Sequence, residues 1–466
     1  MKNKNQFVPI ERSTLHEQEV SSISVNKFIQ ALEKSAANMR SFTLLRHGKL
    51  IAEKYWNPYA KEYKVWVYSI SKSFTSTAIG MAIDEGLLEL DDCVLSFFPQ
   101  ESPANPTSNL STMKVRHLLS MSTGHAVDTL DSITSSLEGE WVKTFLSLPV
   151  EYEPGTHFVY NSGASFMLSA IIETVTKQTL MDYLTDRLFK PLGFGEVIWD
   201  KNQKNVVTGG WGIMLRAEDL AKLGQLYLDK GSYQGKRIVS EKWVEEATRK
   251  QVENSSTGST KDWSLGYGFQ FWRCQNNAYR ADGAFGQYAI VLPEQDAVLS
   301  IMSETSDMQE ILDIVWEYLL PAFSNTFSQL EKKIHGKVYQ VAANTVGITT
   351  AKFHFKKGEM ELIFTKQQGS YNIKCGRGMW LEGETRIPFG TASFIPMVAL
   401  EDMAKKIQGY FQWKDEKTLE IVWVYCEMPH RERMICNFEG DRILISCPPN
   451  KAAEMIGLPE ISLSLH

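Results

Sequence analysis

The sequence has 466 residues, about three times the usual length of a single domain, so two or three domains are expected. Hydrophobic residues make up 43% of the chain and charged residues 22%, a globular composition that excludes disorder, a collagen-like fibre and a coiled coil. There are 49 Lys and Arg against 55 Asp and Glu, and the resulting net charge of −6 argues against nucleic acid as the main partner.

The first predicted elements are a β-hairpin and a buried helix. Residues 41–46 and 50–56 are apolar and β-inclined, and His47-Gly48 between them is a turn signal. Residues 72–85 carry apolar side chains nearly all round, which is typical of a helix buried on every side. Gly86 follows directly and predicts the end of this helix.

Further helices and strands follow in an order that indicates an α/β (α+β) domain. Helices are predicted over residues 165–177, 218–228 and 308–320. Strands are predicted over 266–272 and 286–303, the latter broken by a turn at 293–296. Strands at both ends with helices between them predict one sheet covered by helices, with its first and last strands brought together.

The chain changes character near residue 325. Beyond it, short alternating runs flank turns centred on Gly358 and Gly440, and the apolar side chains of residues 419–425 alternate with period two. This pattern predicts an antiparallel β domain, a sandwich or small barrel, over residues 326–466, after a first domain over residues 1–325.

No segment is typical of a secretory signal or a membrane-spanning helix, which predicts a cytoplasmic protein with no membrane partner. The six cysteines lie far apart without a C-x-x-C pair and fit small buried hydrophobes in a reducing compartment. One group of residues could be considered as metal ligands, namely Cys426, His430, Cys436 and Cys447. The spacing of these residues fits no zinc-binding motif. No glycine-rich phosphate loop follows a strand, so neither a metal nor another cofactor is predicted.

The most informative segment for chemistry is the start of the buried helix, where Ser69 and Lys72 stand three residues apart. This spacing puts both side chains on one helical face. A lysine in a dry site has a lowered pKa and can take the proton of a serine hydroxyl, while the N–H groups of a helix start favour developing negative charge. The same S-x-x-K pattern occurs at Ser24 and Lys27. No buried helix is predicted there, so the Lys27 amine is not expected to be shielded from water. The pattern alone is therefore weak, and its context favours the Ser69 copy.

Five segments in order resemble the serine β-lactamase-like hydrolases, a family that includes class C β-lactamases, DD-peptidases, esterases and 6-aminohexanoate-dimer hydrolases. The resemblance covers roughly residues 40–320 and rests on residues 69–75 with 84–92, 116–125, 154–162, 209–221 and 283–287. It implies a transpeptidase-like fold, an antiparallel sheet flanked by helices plus an all-α lobe, with Ser69 as the acyl-accepting nucleophile and Lys72 as its activating partner. It also implies that Tyr160 is a second acid and base, which relays a proton to the leaving group and then takes part in proton transfer with the deacylating water.

Two departures from the family pattern bear on the substrate. Ser162 stands where the family has an asparagine, so a hydroxyl replaces an amide next to the lysine. Ala281 stands where the family has the lysine of Lys-Thr-Gly, so the charge that binds a β-lactam or D-Ala-D-Ala carboxylate is missing there. Gly283 is retained, and the resemblance implies an oxyanion hole formed by the N–H groups of Ala284 and Ser69. Arg280 or Arg273 could supply a displaced charge.

The predicted function is therefore a serine hydrolase that cleaves an ester or amide of a small substrate through an acyl-enzyme on Ser69. The predicted substrate-binding residues are Ser162, Ala281, Gly283, Gln287, Trp211 and Tyr267. Two alternatives stay open: a penicillin-binding protein, DD-peptidase or β-lactamase with the same nucleophile, and a ligand-binding homologue that has lost turnover. The oligomeric state is left undetermined.

Overall fold

The structure, a computed structural model, describes residues 7–15, 17–136, 138–255, 261–323, 326–356, 358–367, 369–377, 380–386, 404–415, 417–455, 457 and 459–466. Its chain forms two compact units. Unit 1 comprises Met1–Thr14 and Phe28–Glu317, and unit 2 comprises Leu15–Lys27 and Tyr318–His466. The domain boundary near residue 325 stays a prediction.

Unit 1 is a mixed assembly of helices and strands. Its strands are β1 (Asn38–Arg46), β2 (Lys49–Tyr55), β3 (Val65–Trp66), β4 (Ile198–Trp199), β5 (Ile213–Leu215), β6 (Ser232–Tyr233), β7 (Lys236–Arg237), β8 (Trp272–Arg273), β9 (Tyr279–Gly283), β10 (Gln287–Leu292) and β11 (Ala297–Glu304). The helices, the first of which begins in unit 2, are α1 (Ser22–Lys34), α2 (Ser71–Asp84), α3 (Ser108–Thr112), α4 (Val115–Leu119), α5 (Leu130–Thr134), α6 (Trp141–Ser147), α7 (Ser162–Thr176), α8 (Leu180–Leu184), α9 (Ala217–Leu228), α10 (Glu241–Thr248) and α11 (Met308–Ile314).

The main sheet of unit 1 is antiparallel and joins the two ends of the unit. Its strand order is β2-β1-β11-β10-β9-β8, so the first hairpin pairs with the last strand, with Phe42 opposite Ile301 and Leu44 opposite Leu299. The pairing of first and last strands and the antiparallel sheet flanked by helices, both expected from the sequence, are confirmed.

Helix α2 is buried on every side, as its composition predicts. Every residue from Ser71 to Ala82 is buried, and Gly80 lies so close to the Trp243 ring that an added Cβ would come within 2.4 Å of it. Helix α7 packs beside α2 and is buried from Ser162 to Ile172. These two buried helices fix the residues at their N-termini, where the candidate site lies.

Two of the predicted elements differ from the structure. The strand expected over 266–272 is wrong, because only its last residue belongs to a strand, β8. Gln270 has a φ of 65°, and Gly268 donates to the carbonyl of Phe271 in a turn, so the backbone cannot form a ladder there. The α-helix expected over 308–320 is shorter in the structure, because α11 ends at Ile314. A π-helical turn, Val315–Leu319, follows it directly.

In its described residues, unit 2 is a nearly closed β-barrel with the start of α1 and two further helices. Its strands are β12 (Val338–Gln340), β13 (Thr350–Lys356), β14 (Glu359–Lys366), β15 (Gly369–Arg377), β16 (Leu381–Thr385), β17 (Lys405–Trp413), β18 (Thr418–Tyr425), β19 (Arg431–Glu439), β20 (Arg442–Cys447) and β21 (Ile461–Leu465), and its helices α12 (Thr326–Ile334) and α13 (Lys451–Met455). Gln340 and His466 exchange backbone hydrogen bonds of 3.0 and 3.1 Å, which joins the start of the barrel to its last strand. Alternate residues such as Ile421 and Trp423 are buried inside, so the antiparallel β domain expected from the sequence is confirmed as a barrel.

Candidate active site

Ser69 and Lys72 meet at the N-terminus of α2. A 3₁₀ turn, Tyr68–Ile70, carries Ser69 into the helix, and the Lys72 side chain is 1% exposed. The Lys72 Nζ lies 3.2 Å from Ser69 Oγ, 3.3 Å from Ser162 Oγ and 2.8 Å from the carbonyl oxygen of Gly210. An ammonium group has three N–H donors, and these three acceptors account for all of them.

The surroundings of Lys72 lower its pKa. Burial removes water from the ammonium and lowers the pKa to about 8, against the opposing negative charges of Asp128 and Asp282. At pH 7 about one tenth of the amine is therefore unprotonated. In that form it donates two hydrogen bonds and offers a lone pair to a third neighbour, which allows it to accept a proton from Ser69.

Ser162 comes to Lys72 because it begins α7. The Asn161 side chain caps this helix by accepting from the N–H of Ala164, and it also accepts from the Thr129 hydroxyl at 2.7 Å. The Ser162 N–H donates to Asp128 Oδ1 at 2.8 Å. Asp128 thus holds the start of α7 and adds negative charge near Lys72. Sequence reasoning missed it, because no spacing relates residue 128 to the S-x-x-K segment.

Tyr160 lies beside Ser69 in an aromatic wall. Its ring stacks on Trp272 at 5.5 Å between centroids and contacts Tyr267 edge-on at 6.2 Å, while Lys72 Nζ lies 4.9 Å from the ring centroid. Burial and the charge of Asp282 raise the pKa of Tyr160 far above its usual range, although a hydrogen bond with Ser69 opposes the rise. The phenol is therefore held in its protonated form.

Strand β9 ends against the turn that carries the serine. A Cβ added to Gly283 would lie 2.2 Å from the carbonyl oxygen of Val67, so only glycine permits this approach. The next residue, Ala284, begins the tight turn from β9 to β10, next to the backbone that leads into Ser69. Gln287 braces this turn, because its Nε2 donates to the carbonyls of Ala284, Phe285 and Ser303 at 3.3, 3.3 and 2.6 Å.

Strand β9 also carries an internal ion pair. Arg280 is 0% exposed, and its Nε donates to Asp282 Oδ2 at 3.0 Å while its guanidinium lies 4.3 Å from the centroid of the Trp263 ring. Ala281 between them is buried in the sheet opposite Ala289. Arg273 donates to the carbonyl of Thr248 at 3.0 Å. The charge of Arg280 is therefore already paired within the protein, whereas Arg273 donates to neutral oxygens of Thr248 and Asn277.

The remaining predicted residues lie around this centre. Trp211 follows Gly210, whose carbonyl accepts from Lys72, and its partly buried ring stacks on Trp141 at 5.9 Å. Tyr267 is 1% exposed and forms part of the wall behind Tyr160. The structure thus brings Ser69, Lys72, Ser162 and Tyr160 into contact, sets Gly283 beside Val67, and leaves Ala281, Tyr267 and Gln287 as supports. Their functional roles stay predictions.

Within the described ranges, no three His, Cys, Asp or Glu side chains come together in an arrangement that could hold a metal ion. None of the helices in that part of the chain combines the length and hydropathy needed to span a bilayer.

Comparison with known proteins assigns the chain to a family. The curated 6-aminohexanoate-dimer hydrolase of Paenarthrobacter ureafaciens is 26% identical over 300 residues, which are 60% of this chain and 75% of that protein. The structure of EstCE1, a hydrolase with promiscuous acyltransferase activity, matches with a TM-score of 0.54 at 17% identity, over 65% of this chain and 100% of that one.

A third match, the octameric penicillin-binding protein homologue of Pyrococcus abyssi, has a TM-score of 0.51 at 16% identity and covers 95% of this chain and 99% of that one. At these identities, the two structural matches show the fold alone. The family described as Beta-lactamase matches residues 26–320, well over half of the sequence. The chain therefore belongs to the Beta-lactamase family, whose members are serine hydrolases.

Proposed function

We propose that this protein hydrolyses an ester or amide of a small substrate through an acyl-enzyme on Ser69, with Lys72 and Tyr160 moving the protons. The observation that carries the proposal is the buried Lys72 amine, whose pKa is lowered to about 8 and whose Nζ lies 3.2 Å from Ser69 Oγ. A lysine with a lowered pKa at hydrogen-bond distance from a serine is the arrangement that a general base requires.

Acylation begins when the neutral Lys72 amine takes the proton of Ser69. In that state Nζ donates to Gly210 and Ser162, so its lone pair faces the serine hydroxyl. The oxygen of the substrate carbonyl, as it becomes negative, accepts hydrogen bonds from the N–H groups of Ser69 and Ala284. The closeness of Gly283 to Val67 supports this pairing, because it brings the two backbone segments together.

Tyr160 supplies the proton that the leaving group needs. Its raised pKa keeps the phenol protonated before reaction, and its hydrogen bond with Ser69 puts it at the scissile bond. When the leaving group takes that proton, the phenolate regains one from the Lys72 ammonium. A water molecule then attacks the acyl-enzyme, with the same two groups acting in the reverse order.

The pairing of Arg280 with Asp282 favours an ester or amide over a peptide carboxylate or a β-lactam. A carboxylate anchor needs an available cation, whereas Arg280 is fully buried and paired with Asp282, and Ala281 carries no charge. The hydrolysis of a 6-aminohexanoate dimer named for the Paenarthrobacter relative supports a small substrate, and the acyltransferase activity named for EstCE1 supports an acyl-enzyme.

The test combines covalent labelling with turnover. The full-length protein is incubated with a fluorophosphonate and analysed by intact-mass spectrometry, and hydrolysis of p-nitrophenyl acetate is measured in parallel. Ser69→Ala is expected to abolish both. Ser24→Ala is the matched control, because Ser24 belongs to the second S-x-x-K copy, and it is expected to change neither.

Each of the other outcomes assigns a different function. Labelling without ester turnover, together with acylation by a fluorescent penicillin, would indicate a penicillin-binding role. A folded wild-type protein that takes no label would refute the proposal and leave the ligand-binding homologue.

A further inference from the structure

Three aromatic side chains next to the candidate site are absent from the chemistry described so far. Trp66 and Phe285 are each 47% exposed, and Tyr68 lies between them with centroid distances of 6.2 Å to Trp66 and 5.1 Å to Phe285. We call these three residues the aromatic rim. Large rings exposed side by side are unfavourable in water and mark a binding surface more often than an isolated exposed residue does.

The backbone holds two of these rings in an uncommon conformation. Tyr68 has a φ of 49° and Phe285 a φ of 66°, a region that aromatic residues seldom adopt. The Phe285 carbonyl accepts hydrogen bonds from Thr305 N–H, Ser303 Oγ and Gln287 Nε2 at 3.2, 3.1 and 3.3 Å. The Tyr68 carbonyl accepts from Ser71 Oγ at 2.6 Å. The rim is therefore rigid, and its strain is maintained by the surrounding contacts.

The position of the rim relates it to the reacting carbonyl. Tyr68 directly precedes Ser69, and Phe285 directly follows Ala284, so the rim flanks both N–H groups of the proposed oxyanion hole. The leaving group has to face Tyr160, which stands in the separate aromatic group with Tyr267 and Trp272. The acyl chain is the remaining substituent of the carbonyl carbon, and the rim is an apolar surface next to the oxyanion hole that can hold it.

We propose that the aromatic rim of Trp66, Tyr68 and Phe285 is the acyl-chain subsite, and that it selects substrates with an uncharged hydrophobic acyl group of about four carbons or more. This inference rests on the proposed function of Ser69. Burial of each additional methylene against the rings increases kcat/KM about 4-fold until the rim is covered.

The experiment measures how kcat/KM depends on acyl length. p-Nitrophenyl acetate, butyrate and hexanoate are compared for wild type, Phe285→Ala and Phe285→Leu, since both variants keep a Cβ at the same backbone angle. We expect the hexanoate-to-acetate ratio to fall about 10-fold in Phe285→Ala and to be largely retained in Phe285→Leu. Leu87→Ala is the control, because Leu87 is 41% exposed just beyond the far end of α2.

A binding measurement separates this inference from the proposed function. Isothermal titration of N-phenylhexanamide into Ser69→Ala needs no catalysis, and adding Phe285→Ala should weaken binding about 10-fold. If wild type hydrolyses no ester but Phe285→Ala still weakens this binding, only the proposed function fails. An unchanged ratio and unchanged binding in Phe285→Ala would refute the subsite, and so would an effect that follows the leaving group instead of the acyl chain.

Discussion

Replacing Lys72 by methionine should change the stability of the fold in a way that reports the buried charge. Lys72 titrates at about 8 in the folded protein, against 10.5 for a free lysine. Between these pH values the unfolded chain binds more protons than the folded one, so stability rises with pH across that window. At about 1.36 kcal/mol per pH unit, the lowered pKa of Lys72 destabilises the fold by about 3 kcal/mol at pH 7 and by about 1 kcal/mol at pH 10.

Methionine removes this penalty but leaves the buried carbonyl of Gly210 without its donor, a loss of about 1–3 kcal/mol that does not depend on pH. The stability of Lys72→Met relative to wild type should therefore fall by about 2 kcal/mol between pH 7 and pH 10. In differential scanning calorimetry this is a change of roughly 3 °C in the Tm difference. Lys242→Met, at an exposed position, is the control. A Tm difference that is the same at both pH values would refute the lowered pKa of Lys72.

Other features give predictions of the same kind. The rate of fluorophosphonate labelling should rise with pH and level off above an apparent pKa of about 8, and a rate that does not vary from pH 6 to pH 9 would contradict Lys72 as the base. Gln287→Ala should lower kcat about 10- to 100-fold and leave KM nearly unchanged, because the turn carrying Ala284 loses its brace; an unchanged kcat would show that the turn is held without it. In the barrel, burial raises the pKa of Glu432 to about 7, so wild type loses stability as the pH rises from 4.5 to 7. Glu432→Gln should raise the Tm at pH 8 but not at pH 4, and an equal effect at both would exclude a buried carboxylate there.

The sequence predicts the part of the site that depends on local spacing. Ser69 and Lys72 lie together because a helix brings residues three apart onto one face, and the small polar surface expected for α2 already indicates that this face is dry. Ser162 was expected near Lys72 from the order of the motifs, and its hydroxyl is 3.3 Å from Nζ. Each of these statements depends on a single segment or on the family pattern.

The parts that were missed depend on contacts between distant segments. Asp128 reaches Ser162 across 34 residues, and no pattern in the sequence relates the two. The ion pair of Arg280 with Asp282 could be drawn from the sequence, but its burial beneath Trp263 could not. The prediction of a strand over 266–272 was wrong for a related reason. Gln270 has a left-handed backbone conformation that interrupts any β-ladder, and the residue types of the segment do not reveal it.

The pairing of β1 with β11 also constrains how this protein is made. About 250 residues separate Arg46 from Ala297, which lie opposite each other in the sheet. At the usual rates of translation, the ribosome needs roughly 10 to 50 s to add that many residues. Throughout this interval β1 can pair with β2 along one edge, but its other edge has no partner strand, so nascent chains are exposed to aggregation until residue 304 has emerged. Chaperone demand should therefore be highest midway through synthesis, before any of the barrel has been translated.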